Sequence, residues 1–129
     1  MQQVLERQGM AAAHAPLVAT TIVAAERDGS RSHGLQRLAG YLSSLQSGWV
    51  DGTAEPIVDE AAPGLLKVDA RNGFAQVALA EAVPRLSAMA ARQGSAAMVM
   101  ANSHHFAALW PRRRALPGRQ SDTCCRLAG

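Results

Sequence analysis

The sequence predicts a mixed α/β fold, and three observations predict it. Apolar residues recur at helical spacing in three segments, 11–27, 32–47 and 74–93. Two short runs, Leu65-Leu66-Lys67-Val68-Asp69 and Ala96-Ala97-Met98-Val99-Met100-Ala101, have the length and apolar character of strands. Glycine, proline and asparagine punctuate the joints between these segments. At 129 residues the chain is at most one domain.

Each element has its own signal. After Gly9, the alanine-rich helix 11–27 carries Leu17, Val18, Ile22 and Val23 at helical spacing and stops at Asp28-Gly29. The helix 32–47 has Leu35, Leu38, Leu42 and Leu45 as its buried stripe, with Gly48 past its end. Segment 49–63 contains two prolines and a glycine and reads as a loop, with a short strand near Ile57-Val58. The strand 65–69 leads into a turn at Arg71-Asn72-Gly73. The helix 74–93 is stopped by Gly94, and Pro84 inside it is expected to kink it or cost about 3 kcal/mol. The run 96–101 is apolar on both faces, as in a strand covered on both sides, and delivers the chain into Asn102-Ser103-His104-His105-Phe106-Ala107-Ala108-Leu109-Trp110.

Composition bounds the function. Hydrophobic residues make up 48% of the chain and charged residues 18%, which suits a globular, soluble protein rather than a disordered one. No apolar run approaches the ~20 residues that span a bilayer, and Met1-Gln2-Gln3-Val4-Leu5-Glu6-Arg7 lacks the layout of a secretory signal. A cytoplasmic location is expected. Cys124 and Cys125 are adjacent, a poor geometry for a disulfide, and neither has a spaced partner for a zinc site. The net charge of +3 belongs to the tail: Arg112, Arg113, Arg114, Arg119 and Arg126 stand there against Asp122 alone, and the remainder is slightly acidic. Such a tail can be a nucleic-acid arm.

The richest stretch chemically is Ser32-His33-Gly34-Leu35-Gln36-Arg37-Leu38-Ala39-Gly40-Tyr41. If it opens a helix, His33, Arg37 and Tyr41 share one face. An imidazole can hand over a proton near neutral pH, and a guanidinium fork matches a carboxylate with two parallel hydrogen bonds. Together they suit a small substrate with a carboxylate beside the atom that gains or loses a proton. The same spacing also suits a solvated helix face with an incidental histidine. A second candidate is the polar loop at Asn102, where backbone N–H groups ahead of a small-residue helix can hold phosphate and Ala107 and Ala108 allow close approach; His105 could equally be hydrogen-bonded in the core. His104 and His105 point apart in any regular element, so no metal site is expected from them. A Gly-rich nucleotide loop of the usual type is missing.

These residues, in order, resemble one family. Ser32-His33-Gly34 with Arg37 and Tyr41, then Gly48-Trp49-Val50-Asp51-Gly52, Val68-Asp69 with Gly73-Phe74-Ala75-Gln76, and the stretch from Asn102 to Pro111 are similar to the malate/L-lactate/sulfolactate dehydrogenase family. Within it, the longer matches resemble the Δ1-piperideine-2-carboxylate/Δ1-pyrroline-2-carboxylate reductases. The resemblance runs from about Gly9 to Pro111. It implies N-terminal helices followed by part of a non-Rossmann NAD(P)-binding sheet domain, incomplete in this chain. It implies NADPH-dependent reduction of a cyclic imino acid to L-pipecolate or L-proline, with NADH as a possible substitute, by a cytoplasmic homodimer that engages neither nucleic acid, membrane nor metal. His33 matches the proton donor, Ser32 its relay partner and Arg37 the carboxylate clamp. His105, Phe106, Ala107, Ala108 and Leu109 match part of the cofactor-binding loop. An aspartate that would orient His33 lies outside the chain.

The resemblance also divides the chain. Residues 1–111 form the N-terminal portion of the reductase, with a helical segment at 1–48 and the start of the cofactor-binding region at 64–111. Relatives continue after Trp-Pro with a sequence like Asp-Val-Glu-Pro-Phe, and codons for it read one nucleotide earlier permit Arg-Arg-Arg-Ala-Leu, which stands at 112–116. Residues 112–129 are therefore read as an out-of-frame tail without a domain, and the 129-residue chain is expected to be inactive by itself. Two other readings stay open: an NAD-dependent 2-hydroxy acid dehydrogenase of the malate/L-lactate type, and a non-catalytic small protein with a basic tail.

Overall fold

A computed structural model describes residues 1–104. They form four α-helices and a three-stranded sheet: α1 (Gln2–Arg7), α2 (Ala15–Arg27), a 3-10 turn (Arg31–His33), α3 (Leu35–Gln46), β1 (Ile57–Ala62), β2 (Leu65–Phe74), α4 (Ala75–Gln93) and β3 (Ala97–His104). β2 is central; it pairs antiparallel with β1 and parallel with β3. The parallel connection passes through α4, a β-α-β crossover of the length that such a connection needs. No helix among the described residues is long and apolar enough to cross a membrane.

The helices obey the expected periodicity with shifted edges. α2 buries Val18 and Ile22, but Leu17 and Val23 are exposed, so the apolar face is narrower than the sequence suggests. On α3, Leu45 is buried, Leu38 and Leu42 are partly buried, and Leu35 is exposed. Leu35 is the helix's first residue, beyond the reach of the core it was expected to join. α1 has no sequence periodicity to reveal it; its one buried residue, Leu5, is fully enclosed. Burial of one such side chain is worth about 1.5–3 kcal/mol. Pro84 is accommodated inside α4 because it stands on the exposed side, and Ala80, whose carbonyl loses its donor, is exposed as well.

The sheet departs from expectation in two places. Arg71-Asn72-Gly73 is not a turn. It lies within β2, where Arg71 (φ 51°) and Asn72 (φ 62°) are left-handed and the β2–β3 register slips between Asp69 and Gly73. Residues that tolerate positive φ serve bulges as well as turns, and here they serve a bulge. β3 is also not covered on both faces among the described residues: it is an edge strand in which exposed residues, Val99 among them, alternate with partly buried ones.

Two apolar clusters result. One joins α1, α2, α3 and the start of α4 around Ile22, Tyr41 and Phe74; the other lies between the sheet and α4 around Leu66, Val68 and Met89. Phe74 ends β2 and immediately precedes α4, so the first cluster, α3 and the sheet's end meet at one place.

Candidate active site

His33 occupies the last position of the 3-10 turn, not the first turn of a helix. Gly34, with φ −89° and ψ −136°, breaks the helical path, and α3 starts at Leu35. The expectation of one helical face for His33, Arg37 and Tyr41 is therefore corrected: Arg37 and Tyr41 share it, while His33 precedes it on its own turn. The cause lies in α2. The Glu26 carboxylate accepts the Leu35 N–H at 2.9 Å, capping α3 and placing a negative charge at its N-terminus. A Cβ at position 34 would fall on that carboxylate and 3.0 Å from the Glu26 Cα, so a larger residue there must displace Glu26.

Two serine hydroxyls face Nδ1 of the His33 ring. Ser32 Oγ lies 3.0 Å and Ser30 Oγ 3.2 Å from Nδ1. The His33 main-chain N–H donates to the Ser30 carbonyl at 2.9 Å, and the Ser30 N–H donates to the Ala25 carbonyl at 2.9 Å. One turn into α3, Arg37 is half-buried, and its Nε has no hydrogen-bond partner among the described residues.

Tyr41 is buried, and its hydroxyl accepts a hydrogen bond from Gln76 Nε2 at 3.3 Å. Burial pushes the phenol pKa up, while the Gln76 bond and the Arg37 charge pull it down to a lesser extent. Gln76 is itself buried, and its Oε1 has no partner among the described residues. Phe74 and His104 are register partners at the ends of β2 and β3. Their rings meet edge to face at 5.5 Å, and each also meets Tyr41, at 5.3 Å for Phe74 and 6.3 Å for His104. Burial lowers the pKa of His104, which favours its neutral ring.

The structure thus brings together Arg37, Tyr41, Phe74, Gln76 and His104, with Ser30, Ser32 and His33 on the turn that leads into α3. Sequence reasoning missed Ser30, Glu26 and Gln76. For Gln76 a signal was present: it is the one polar residue in Phe74-Ala75-Gln76-Val77-Ala78-Leu79, a run that is otherwise apolar and wholly buried. For Glu26 no local signal existed, since its partners lie eight and nine residues on. Asn102 is not in a loop. It lies within β3 at φ 53°, and its side-chain amide donates to Asp69 Oδ1 at 3.0 Å, the oxygen that also accepts the Arg71 N–H at 2.9 Å. These two bonds depress the Asp69 pKa. The expected cofactor loop, His105, Phe106, Ala107, Ala108 and Leu109, lies outside the described residues, as do Cys124, Cys125 and the tail 112–129.

Comparison with known proteins finds relatives of the chain. The model of the malate/L-lactate dehydrogenase family matches residues 1–116. A Δ1-pyrroline-2-carboxylate/Δ1-piperideine-2-carboxylate reductase of Pseudomonas putida is 50% identical over 111 residues, 86% of this chain and 33% of the relative. The crystal structure of Δ1-piperideine-2-carboxylate reductase from Pseudomonas syringae pvar. tomato superposes with a TM-score of 0.84 at 46% identity, over 88% of this chain and 34% of that one. Malate dehydrogenase from Pyrococcus horikoshii OT3 superposes with a TM-score of 0.81 at 26% identity, over 88% of this chain and 33% of that one. The chain spans about a third of the length of the relatives it matches.

Proposed function

The chain belongs to the malate/L-lactate dehydrogenase family, and from that premise we propose that it supplies the proton donor and the carboxylate clamp for NADPH-dependent reduction of cyclic imino acids, Δ1-piperideine-2-carboxylate to L-pipecolate and Δ1-pyrroline-2-carboxylate to L-proline. The observation that carries the proposal is the placement of His33. Its Nδ1 is engaged by two serine hydroxyls, and it stands on the turn that opens directly onto the half-buried Arg37.

The division of labour follows from the chemistry. Reducing a C=N bond adds hydride to carbon and a proton to nitrogen. His33 provides the proton and is recharged from water, the role an imidazole general acid can fill. Arg37 holds the substrate carboxylate with two hydrogen bonds and so fixes which face of the imine is presented. No described side chain is a hydride source; a bound nicotinamide cofactor supplies it. Tyr41 and Phe74 are buried and pack edge to face with each other and with His104, whose neutral ring burial favours. His105, Phe106, Ala107, Ala108 and Leu109, outside the described residues, are read as holding the cofactor, with Ser32 as the relay partner of His33.

We read the complete enzyme as a cytoplasmic homodimer, and residues 112–129 as an out-of-frame tail. The imine reading is favoured over a 2-hydroxy acid by the reductase relatives at 45–50% identity. The test is a substrate comparison in the polypeptide that carries residues 1–111 in frame with the coding sequence downstream. Consumption of Δ1-piperideine-2-carboxylate with NADPH, and none of malate or lactate with NAD, is expected. Preferential oxidation of malate or lactate would transfer the assignment to the 2-hydroxy acid dehydrogenases.

A further inference from the structure

We infer that Ser30 is a positioning residue for His33: together with Ser32 it accepts the Nδ1 proton, so that the proton the ring delivers leaves from Nε2. The inference rests on the reading of His33 as proton donor and extends it to a residue on which that reading was silent.

Two observations carry it. Ser30 Oγ and Ser32 Oγ both face the same ring nitrogen, at 3.2 and 3.0 Å. One N–H shared between two oxygen acceptors is a common arrangement, and the partner of one ring nitrogen decides where the neutral imidazole keeps its proton. Second, Ser30 is the better anchored of the two. Its N–H is fixed on the Ala25 carbonyl, and its own carbonyl accepts the His33 N–H, both at 2.9 Å. Ser32 is exposed, whereas Ser30 is partly buried. When the imine nitrogen takes the proton from Nε2, the ring is left neutral with its remaining hydrogen on Nδ1, still bonded to the serines.

The test reads the ring directly. In the 129-residue chain labelled with ¹⁵N-histidine, the His33 signals are those lost in His33→Asn. The neutral His33 ring is expected to carry its hydrogen on Nδ1. Ser30→Ala is expected to shift it substantially toward the Nε2–H form, and Ser30→Thr, which keeps the hydroxyl, to restore it. Far-ultraviolet circular dichroism checks that each variant folds, and Ser30→Thr keeps the comparison open if Ser30→Ala does not. In the frame-continued polypeptide, Ser30→Ala is expected to lower kcat by about tenfold with KM for the imine unchanged, the pattern of a misplaced proton rather than of lost binding. An Nε2–H ring in the unsubstituted chain, or a tautomer indifferent to Ser30→Ala, would overturn the inference whatever the chain turns over. An Nδ1–H ring that responds to Ser30 supports it even where cyclic imines prove not to be the substrate.

Discussion

The carboxylate of Glu26, at the end of α2, occupies the space where a side chain on Gly34 would be, and from there it caps the first N–H of α3. One contact thus sets both the break after His33 and the start of the helix that carries Arg37 and Tyr41. Gly34→Ala forces a methyl group into this contact and is expected to cost about 1–3 kcal/mol, the usual range for overpacking. Urea denaturation measures it. Adding Glu26→Ala to Gly34→Ala should recover part of the loss, because the carboxylate is then gone; an unchanged midpoint in Gly34→Ala would show that the two residues do not press on each other.

Tyr41→Phe removes the acceptor of the Gln76 amide inside the first apolar cluster. A buried donor left unpaired costs about 1–3 kcal/mol, whereas removing both partners together is close to neutral. The double variant Tyr41→Phe/Gln76→Met is therefore expected to be more stable than Tyr41→Phe alone, by thermal or urea denaturation. Equal or lower stability of the double variant would mean that the bond contributes nothing.

Asp51 and Asp69 both titrate below the ordinary carboxylate value of 3.8 in the folded chain, Asp51 chiefly through the Thr53 N–H and Asp69 chiefly through the Asn102 amide. A depressed folded pKa means that the unfolded chain binds more protons on acidification. Their stabilising contribution is present above pH 3.8 and is lost as pH falls through the lower folded values. Denaturation midpoints measured from pH 5 downward should fall less steeply in Asp69→Asn than in the unsubstituted chain. Parallel curves would contradict the role given to the Asn102 and Arg71 bonds.

The limits of the sequence reading are physical. Periodicity located α2, α3 and α4, and short apolar runs located β2 and β3. It could not find α1, whose only buried residue is Leu5. It read Arg71-Asn72-Gly73 as a turn because left-handed backbone is common to turns and bulges, and only the pairing with β3 distinguishes them. At the site, His33, Arg37 and Tyr41 were legible as residue types with complementary chemistry, and Ser32 through the family resemblance alone. The geometry was not. The turn at His33 is imposed by Glu26, and the buried Tyr41–Gln76 pair spans 35 residues of sequence. No local pattern encodes either contact.

Arg37→Lys should separate binding from chemistry. A lysine keeps the charge but cannot make two parallel hydrogen bonds to a carboxylate. In the polypeptide carrying residues 1–111 in frame with the downstream sequence, KM for Δ1-piperideine-2-carboxylate is expected to rise roughly tenfold or more, with a smaller effect on kcat. A kcat defect with KM unchanged would assign Arg37 to the chemical step instead.

The central claim is that His33 is the proton donor, and steady-state turnover of Δ1-piperideine-2-carboxylate with NADPH by the His33→Ala form of that polypeptide tests it most directly. A fall in kcat of roughly 10²–10⁴-fold is predicted, the contribution of a positioned general acid. Turnover within a few-fold of the unsubstituted enzyme would contradict it.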